Sequence, residues 1–188
     1  MYIHLMKKAS LLLVLMTLAT SAFAQNSEFG ILVGGSKRIF ASSDKAVASD
    51  NWKFSNSVRE IWYGYYLEPD TMLKIKAGEI TSQLGKADVN DPLSVQKGRI
   101  EHIDMLVDYR FREAFGSTGL FGGVGLYKQK SGPGADAEGT DYGFQVGVNG
   151  DFPMTRRYGI IIEGAYHWVN YSYKPRFLTL SGGIRFKL

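Results

Sequence analysis

The last twelve residues of the chain, FLTLSGGIRFKL (177–188), alternate strictly between two faces. Leu178, Leu180, Gly182, Ile184, Phe186 and Leu188 share one face, and Thr179, Ser181, Gly183, Arg185 and Lys187 share the other. A period of two held for this long excludes a helix and dictates a strand with one apolar face. The pattern recurs upstream. In 158–168, Tyr158, Ile160, Ile162, Tyr166 and Trp168 oppose Gly159, Ile161, Glu163, Ala165 and His167. In 141–150, Tyr142, Phe144, Val146 and Val148 oppose Gly143, Gln145, Gly147 and Asn149. In 99–111, Ile103, Met105, Val107, Tyr109 and Phe111 oppose His102, Asp104, Asp108 and Arg110.

Four less regular segments, about 28–40, 58–67, 73–79 and 120–127, bring the expected strands to eight. The prolines, Pro69, Pro92, Pro133, Pro153 and Pro175, all fall between these segments, where a missing N–H breaks no ladder bond. The gaps alternate in length: 41–57, 80–98, 128–139 and 169–175 are long or polar, whereas 68–72, 112–119 and 151–157 are short. Long loops on one rim and short turns on the other characterise barrels of the outer membrane.

The N-terminus sets the expected compartment. Lys7 and Lys8 precede the apolar run ASLLLVLMTLA (9–19), and Ser21, Ala22, Phe23 and Ala24 place small residues before a cut after Ala24. This is the layout of a secretory signal peptide (1–24), and the run is too short to span hydrocarbon as a helix. The expected mature domain is therefore 25–188. Removing Lys7 and Lys8 from 22 basic residues leaves 20 against 18 acidic ones, a balance that argues against a nucleic-acid partner. No cysteine is present, which excludes disulfide staples, thiolate metal ligands and a cysteine nucleophile.

Alternation alone does not say which way the apolar face points. A lipocalin-like barrel hides it around a ligand, whereas a membrane barrel turns it to lipid. The polar face carries Lys74, Lys76, Asp104, Asp108, Arg110, Glu163, Arg185 and Lys187, together with Gly143, Gly147, Gly159 and Gly183. A narrow lumen needs small residues for room and mixed charges for pairing, so this face is expected inside. On the apolar face, Phe29, Tyr65, Tyr109, Phe111, Tyr158 and Phe186 lie near the short turns, and Tyr142, Tyr166 and Trp168 lie towards the long loops. Two aromatic bands suit two water–lipid boundaries.

Ser181, Gly183, Phe186 and Leu188 resemble the C-terminal signal read by the outer-membrane barrel assembly machinery, with Leu188 where an aromatic residue is usual. With the segments GLFGGVGLYK, DYGFQVGVNGDFP and YGIIIEGAYHWV, the chain resembles the small porin-like outer-membrane β-barrels, OmpA-type and OmpX-type domains included. The resemblance implies an all-β, eight-stranded antiparallel up-and-down transmembrane β-barrel. It implies a cell outer membrane location, with outer-membrane lipid and lipopolysaccharide as surroundings and the assembly machinery as a biogenesis partner. A monomer with an envelope-structural or loop-mediated binding role is expected, with limited small-solute passage as a further option. The alternative is a soluble periplasmic lipocalin-like barrel binding a hydrophobic ligand.

No catalytic, cofactor-binding or metal site is assigned. His102 and His167 with Asp104 and Glu163 share the polar face and can be drawn as a metal or acid–base cluster, but paired charges are what a solid barrel core requires. The chain also resembles outer-membrane lipid A deacylases in strand number, yet His167, Trp168 and Val169 lack the serine of that family's His-x-Ser pair, and no G-x-S-x-G elbow occurs. Gly34–Gly35, Gly122–Gly123 and Gly182–Gly183 lack the lysine and following helix of a phosphate loop. Arg156 and Arg157 occupy a short turn expected to face the periplasm. N-terminal sequencing of protein purified from the envelope should return Gln25 as the first residue; retention of 1–24 would refute the signal-peptide reading.

Overall fold

The computed structural model describes residues 26–39, 56–85, 96–132 and 139–188. Eight strands follow one another: β1 (Ser27–Ile39), β2 (Asn56–Glu68), β3 (Thr71–Leu84), β4 (Gln96–Glu113), β5 (Gly116–Ser131), β6 (Thr140–Pro153), β7 (Tyr158–Val169) and β8 (Arg176–Lys187). Each pairs antiparallel with its sequence neighbours, and β1 pairs with β8 from Glu28↔Lys187 to Ile39↔Arg176, which closes the barrel. No helix among the described residues is long and apolar enough to cross a membrane.

The strands are longer than the alternation suggests. β3 runs to Leu84 and β4 begins at Gln96, so much of the expected 80–98 loop is wall. Likewise β5 extends to Ser131, into the expected 128–139 loop. At this rim β3 and β4 turn Ile80, Leu84 and Ile100 inward with Thr81, Gln83 and Arg99 on the other face, and 128–131 of β5 is polar on both faces, so the apolar-outward pattern fades although the ladder continues. Pro153 is the last residue of β6, where no further ladder bond is needed from its nitrogen. Pro92 and Pro133 lie outside the described residues. The rim asymmetry holds. Pro69 and Asp70 join β2 to β3, Ala114 and Phe115 join β4 to β5, and 154–157 joins β6 to β7, all at one end.

The apolar face points outward. Ile162 is 49% exposed while its neighbour Glu163 is 1% exposed, and the same contrast separates Met105 from Asp104. Val33, Ile61, Val124, Val146 and Ile184 continue the outward apolar surface around the barrel. Water-soluble monomers do not expose contiguous apolar patches of this extent, so the surface belongs in hydrocarbon and the soluble lipocalin-like alternative is overturned. Aromatic pairs mark both edges of the band. Phe29 stacks on Phe186 at 4.9 Å and Tyr109 meets Phe111 at 5.1 Å near the short turns. Trp168 stacks on Phe144 at 5.3 Å towards the other rim.

Glycine shapes the wall from inside. A Cβ on Gly183 would collide with the Ile31 carbonyl oxygen, because the β1–β8 seam brings backbone against backbone there. At Gly147 a Cβ would collide with the ring of Phe121, its cross-strand partner. The glycine-rich polar face thus makes room for neighbouring backbone and for large inward rings.

Opposite directions for two adjacent residues give a sharp test. With no native thiol present, a membrane-embedded lipid-restricted probe should label the Ile162→Cys protein and miss the Glu163→Cys protein. Ile162→Arg should destabilise the folded barrel by about 2–4 kcal/mol in urea titrations in lipid, as for a cation near the bilayer midplane. Labelling confined to Glu163→Cys would reverse the assignment of faces.

Candidate functional site

Among the described residues, inward side chains fill the lumen in layers. Lowest, next to the short turns, Arg110 and Arg185 alternate with Glu28 and Asp151. Arg110 Nη1 donates to Glu28 Oε2 at 3.1 Å and to Asp151 Oδ2 at 3.2 Å. Arg185 donates from Nε to Asp151 at 2.8 and 2.9 Å and from Nη1 to Glu28 Oε1 at 3.2 Å. These four come from β1, β4, β6 and β8, so the ring ties opposite walls together. Tyr66 accepts a further bond from Arg110 at 2.8 Å, and Asn149 donates to Asp108 at 3.0 Å.

Above the ring, Leu32, Trp62, Met72 and Ile161 form a buried apolar cluster. The middle layer holds two lysines in the barrel's interior. Lys74 donates to Glu163 Oε2 at 2.6 Å, and Lys76 donates to Glu163 Oε1. Lys76 also lies 3.8 Å from Glu60. Both ammonium groups sit over aromatic faces: Lys74 lies 4.8 Å from the Trp62 ring and 4.9 Å from Phe121, and Lys76 lies 4.9 Å from Phe121. Such contacts strengthen when water is excluded. A buried cation is tolerated here because a carboxylate and a π-face replace its hydration; removing one partner from such a pair typically costs about 3–5 kcal/mol.

The next layer brings the histidines together. His102 Nδ1 lies 2.6 Å from Asp104 Oδ2, and Nε2 lies 3.4 Å from Glu60 Oε1. The His102 ring stacks on Tyr127 at 5.5 Å and meets His167 edge-on at 5.8 Å. His167 contacts the Tyr127 hydroxyl at 3.1 Å and Thr179 Oγ1 at 3.2 Å. Glu163, grouped with the histidines in the sequence, instead serves the lysines. A Thr hydroxyl beside an imidazole is a chemically suggestive pair, but both residues are buried and the hydroxyl also donates to the Ala165 carbonyl at 3.4 Å. Among the described residues, no group of three His, Asp or Glu side chains is arranged to hold a metal ion.

A second apolar plug closes the layer stack. Leu84, Ile100, Tyr127, Val169, Tyr171 and Phe177 pack together with Tyr173. Arg38 covers this end, donating to the Gly85 carbonyl at 2.7 Å with its guanidinium 5.1 Å from the Tyr173 ring. Sequence reasoning placed the charged residues inside but missed these plugs. Trp62, Phe121, Tyr127 and Phe177 all sit at inward parity, so counting alternate positions through β2, β5 and β8 could have found them. Lys187 departs from the expected inward set: it lies exposed at the short-turn rim.

Comparison with solved structures shows the same architecture. The Neisserial surface protein A (NspA) superposes with a TM-score of 0.64 at 15% identity, over 86% of this chain and 97% of that one. The N-terminal barrel domain of Pseudomonas aeruginosa OprF gives 0.50 at 16% identity, over 86% and 98%. Ail of Yersinia pestis gives 0.44 at 15% identity, over 86% and 99%. No curated protein matches the chain by sequence. The family profile described as the outer membrane protein beta-barrel domain matches residues 10–186, and the chain belongs to that family.

Proposed function

We propose that this outer-membrane barrel acts at its long-connection rim and as part of the envelope's structure, rather than as a pore or an enzyme. The supporting observation is the lumen itself. Two apolar plugs, built around Trp62 and Met72 at one level and around Tyr127 and Phe177 at another, flank a fully paired Lys74–Lys76–Glu163 core. An eight-stranded wall encloses just enough space for its inward side chains, and here their volume is taken by rings and long charged groups. Passage of a solute would require breaking buried ion pairs and displacing both plugs. The candidate acid–base groups lie within this packing, out of reach of a substrate.

Binding work then falls to the rim opposite the short turns, where β1, β3 and β5 end and β2, β4 and β6 begin. Rigid walls carrying variable, longer connections are the usual platform for recognition. The signal segment 1–24 fits this reading as an export address that is removed. In the same reading Ser181, Gly183 and Phe186 of β8, with Leu188 just after it, present the chain to the assembly machinery.

The decisive measurement is electrical. Purified, heat-modifiable protein reconstituted in planar bilayers should give little or no stable conductance. Large, reproducible single channels from the wild-type chain would show an open lumen and overturn the proposal.

A further inference from the structure

The short-turn rim opens into a concavity of about 580 Å³, within the range of small-ligand sites. Its lining is unevenly charged. Arg110, Arg112, Arg156, Arg185 and Lys187 face it. Only Glu28, Glu68 and Asp151 oppose them.

The acceptors on its floor are already engaged. Both oxygens of Glu28 and both of Asp151 receive guanidinium donors within the Arg110–Arg185 ring. The donors are not exhausted. Arg185 donates through Nε and Nη1 and leaves Nη2 over. Arg110, only 4% exposed, has an Nη2 with no acceptor at all. At the mouth, Arg112 is held by Asp70 at 2.9 Å. Arg156 and Lys187 are exposed, and among the described residues their side chains form no ion pair. A cavity with saturated carboxylates, surplus guanidinium donors and two uncommitted cations at its entrance favours an incoming anion with several acceptor oxygens.

We propose that this vestibule is an anion-binding site for a phosphate group, carried either by a soluble phosphate or by the headgroup of an inner-leaflet phospholipid. The proposal is independent of what the opposite rim binds. Its two halves play different parts. The buried ring sets the shape and depth of the floor, and the exposed cations Arg156 and Lys187 complete the ligand's coordination when it arrives.

The test uses the full mature barrel in dodecyl maltoside micelles, which carry no phosphate. Sodium phosphate is titrated at constant ionic strength while backbone amide shifts of Asn26, Arg110 and Ser117 are followed by NMR. Saturable shifts with a Kd of roughly millimolar order are expected. The Arg156→Ala/Lys187→Ala protein should bind about tenfold more weakly, the effect of losing one hydrogen bond to a charged group. Lys130→Ala, which removes one cation at the opposite rim, should change the Kd by less than about twofold. A second arm adds phosphatidylglycerol to the micelles in place of phosphate. Shifts of the same amides with free phosphate alone identify a soluble ligand, and shifts with the lipid identify a headgroup. Absence of saturable shifts in both arms, or a Kd that the double substitution leaves unchanged, would overturn the proposal.

Discussion

Hydrocarbon offers no hydrogen bond to a peptide group, and that single condition governs the rest of this molecule. A strand edge left open in the membrane would strand a row of N–H and C=O groups at a cost of several kcal/mol each. The sheet therefore has to return on itself, and β1 meets β8 along nearly the full length of both strands. Once the wall is closed with so few strands, the interior is narrow. Outward positions are then reserved for side chains that lipid accepts, and every polar group the sequence contains must be placed inside or at a rim.

The interior solves this by layering. Charged groups are gathered into compact sets whose members come from distant strands, and apolar clusters separate one set from the next. Glu163 is central to the middle set: its two oxygens take Lys74 and Lys76, which are neighbours on β3 but reach it across the lumen. Ionic contacts of this kind are weak evidence for stability against an apolar alternative. Their use here is to fix which walls face each other, since a shifted register would leave buried ammonium groups without a carboxylate.

Much of the wall was legible because lipid imposes a strict rule on outward positions. In β6, β7, β8 and the 103–111 stretch of β4 nearly every outward residue is apolar, so alternation survived intact there and the faces could be assigned. The lumen obeys a looser rule, since it admits Trp62 and Phe121 as readily as Lys76. An apolar residue at inward parity therefore broke the pattern in β2 and β5 and shortened or blurred those strands. Three-dimensional partnerships were hidden altogether. His102, Asp104 and Glu163 share a face in the sequence, yet Glu60, which completes the His102 contacts, lies on a strand whose alternation was too irregular to read.

The seam between β1 and β8 has one further consequence. The Leu188 amide donates to the Ser27 carbonyl at 2.9 Å, so the start of β1 and the end of β8 lie side by side at the short-turn rim. The seam is joined by the same ladder as every other strand pair and lacks only a covalent turn. Topologically the wall has no first strand, and a circularly permuted chain, spliced at this rim and cut in a connection at the other, describes the same barrel. An epitope appended beside Ser27 or Leu188 would sit at the short-turn rim, whereas the permuted form would present both of its ends at the opposite rim.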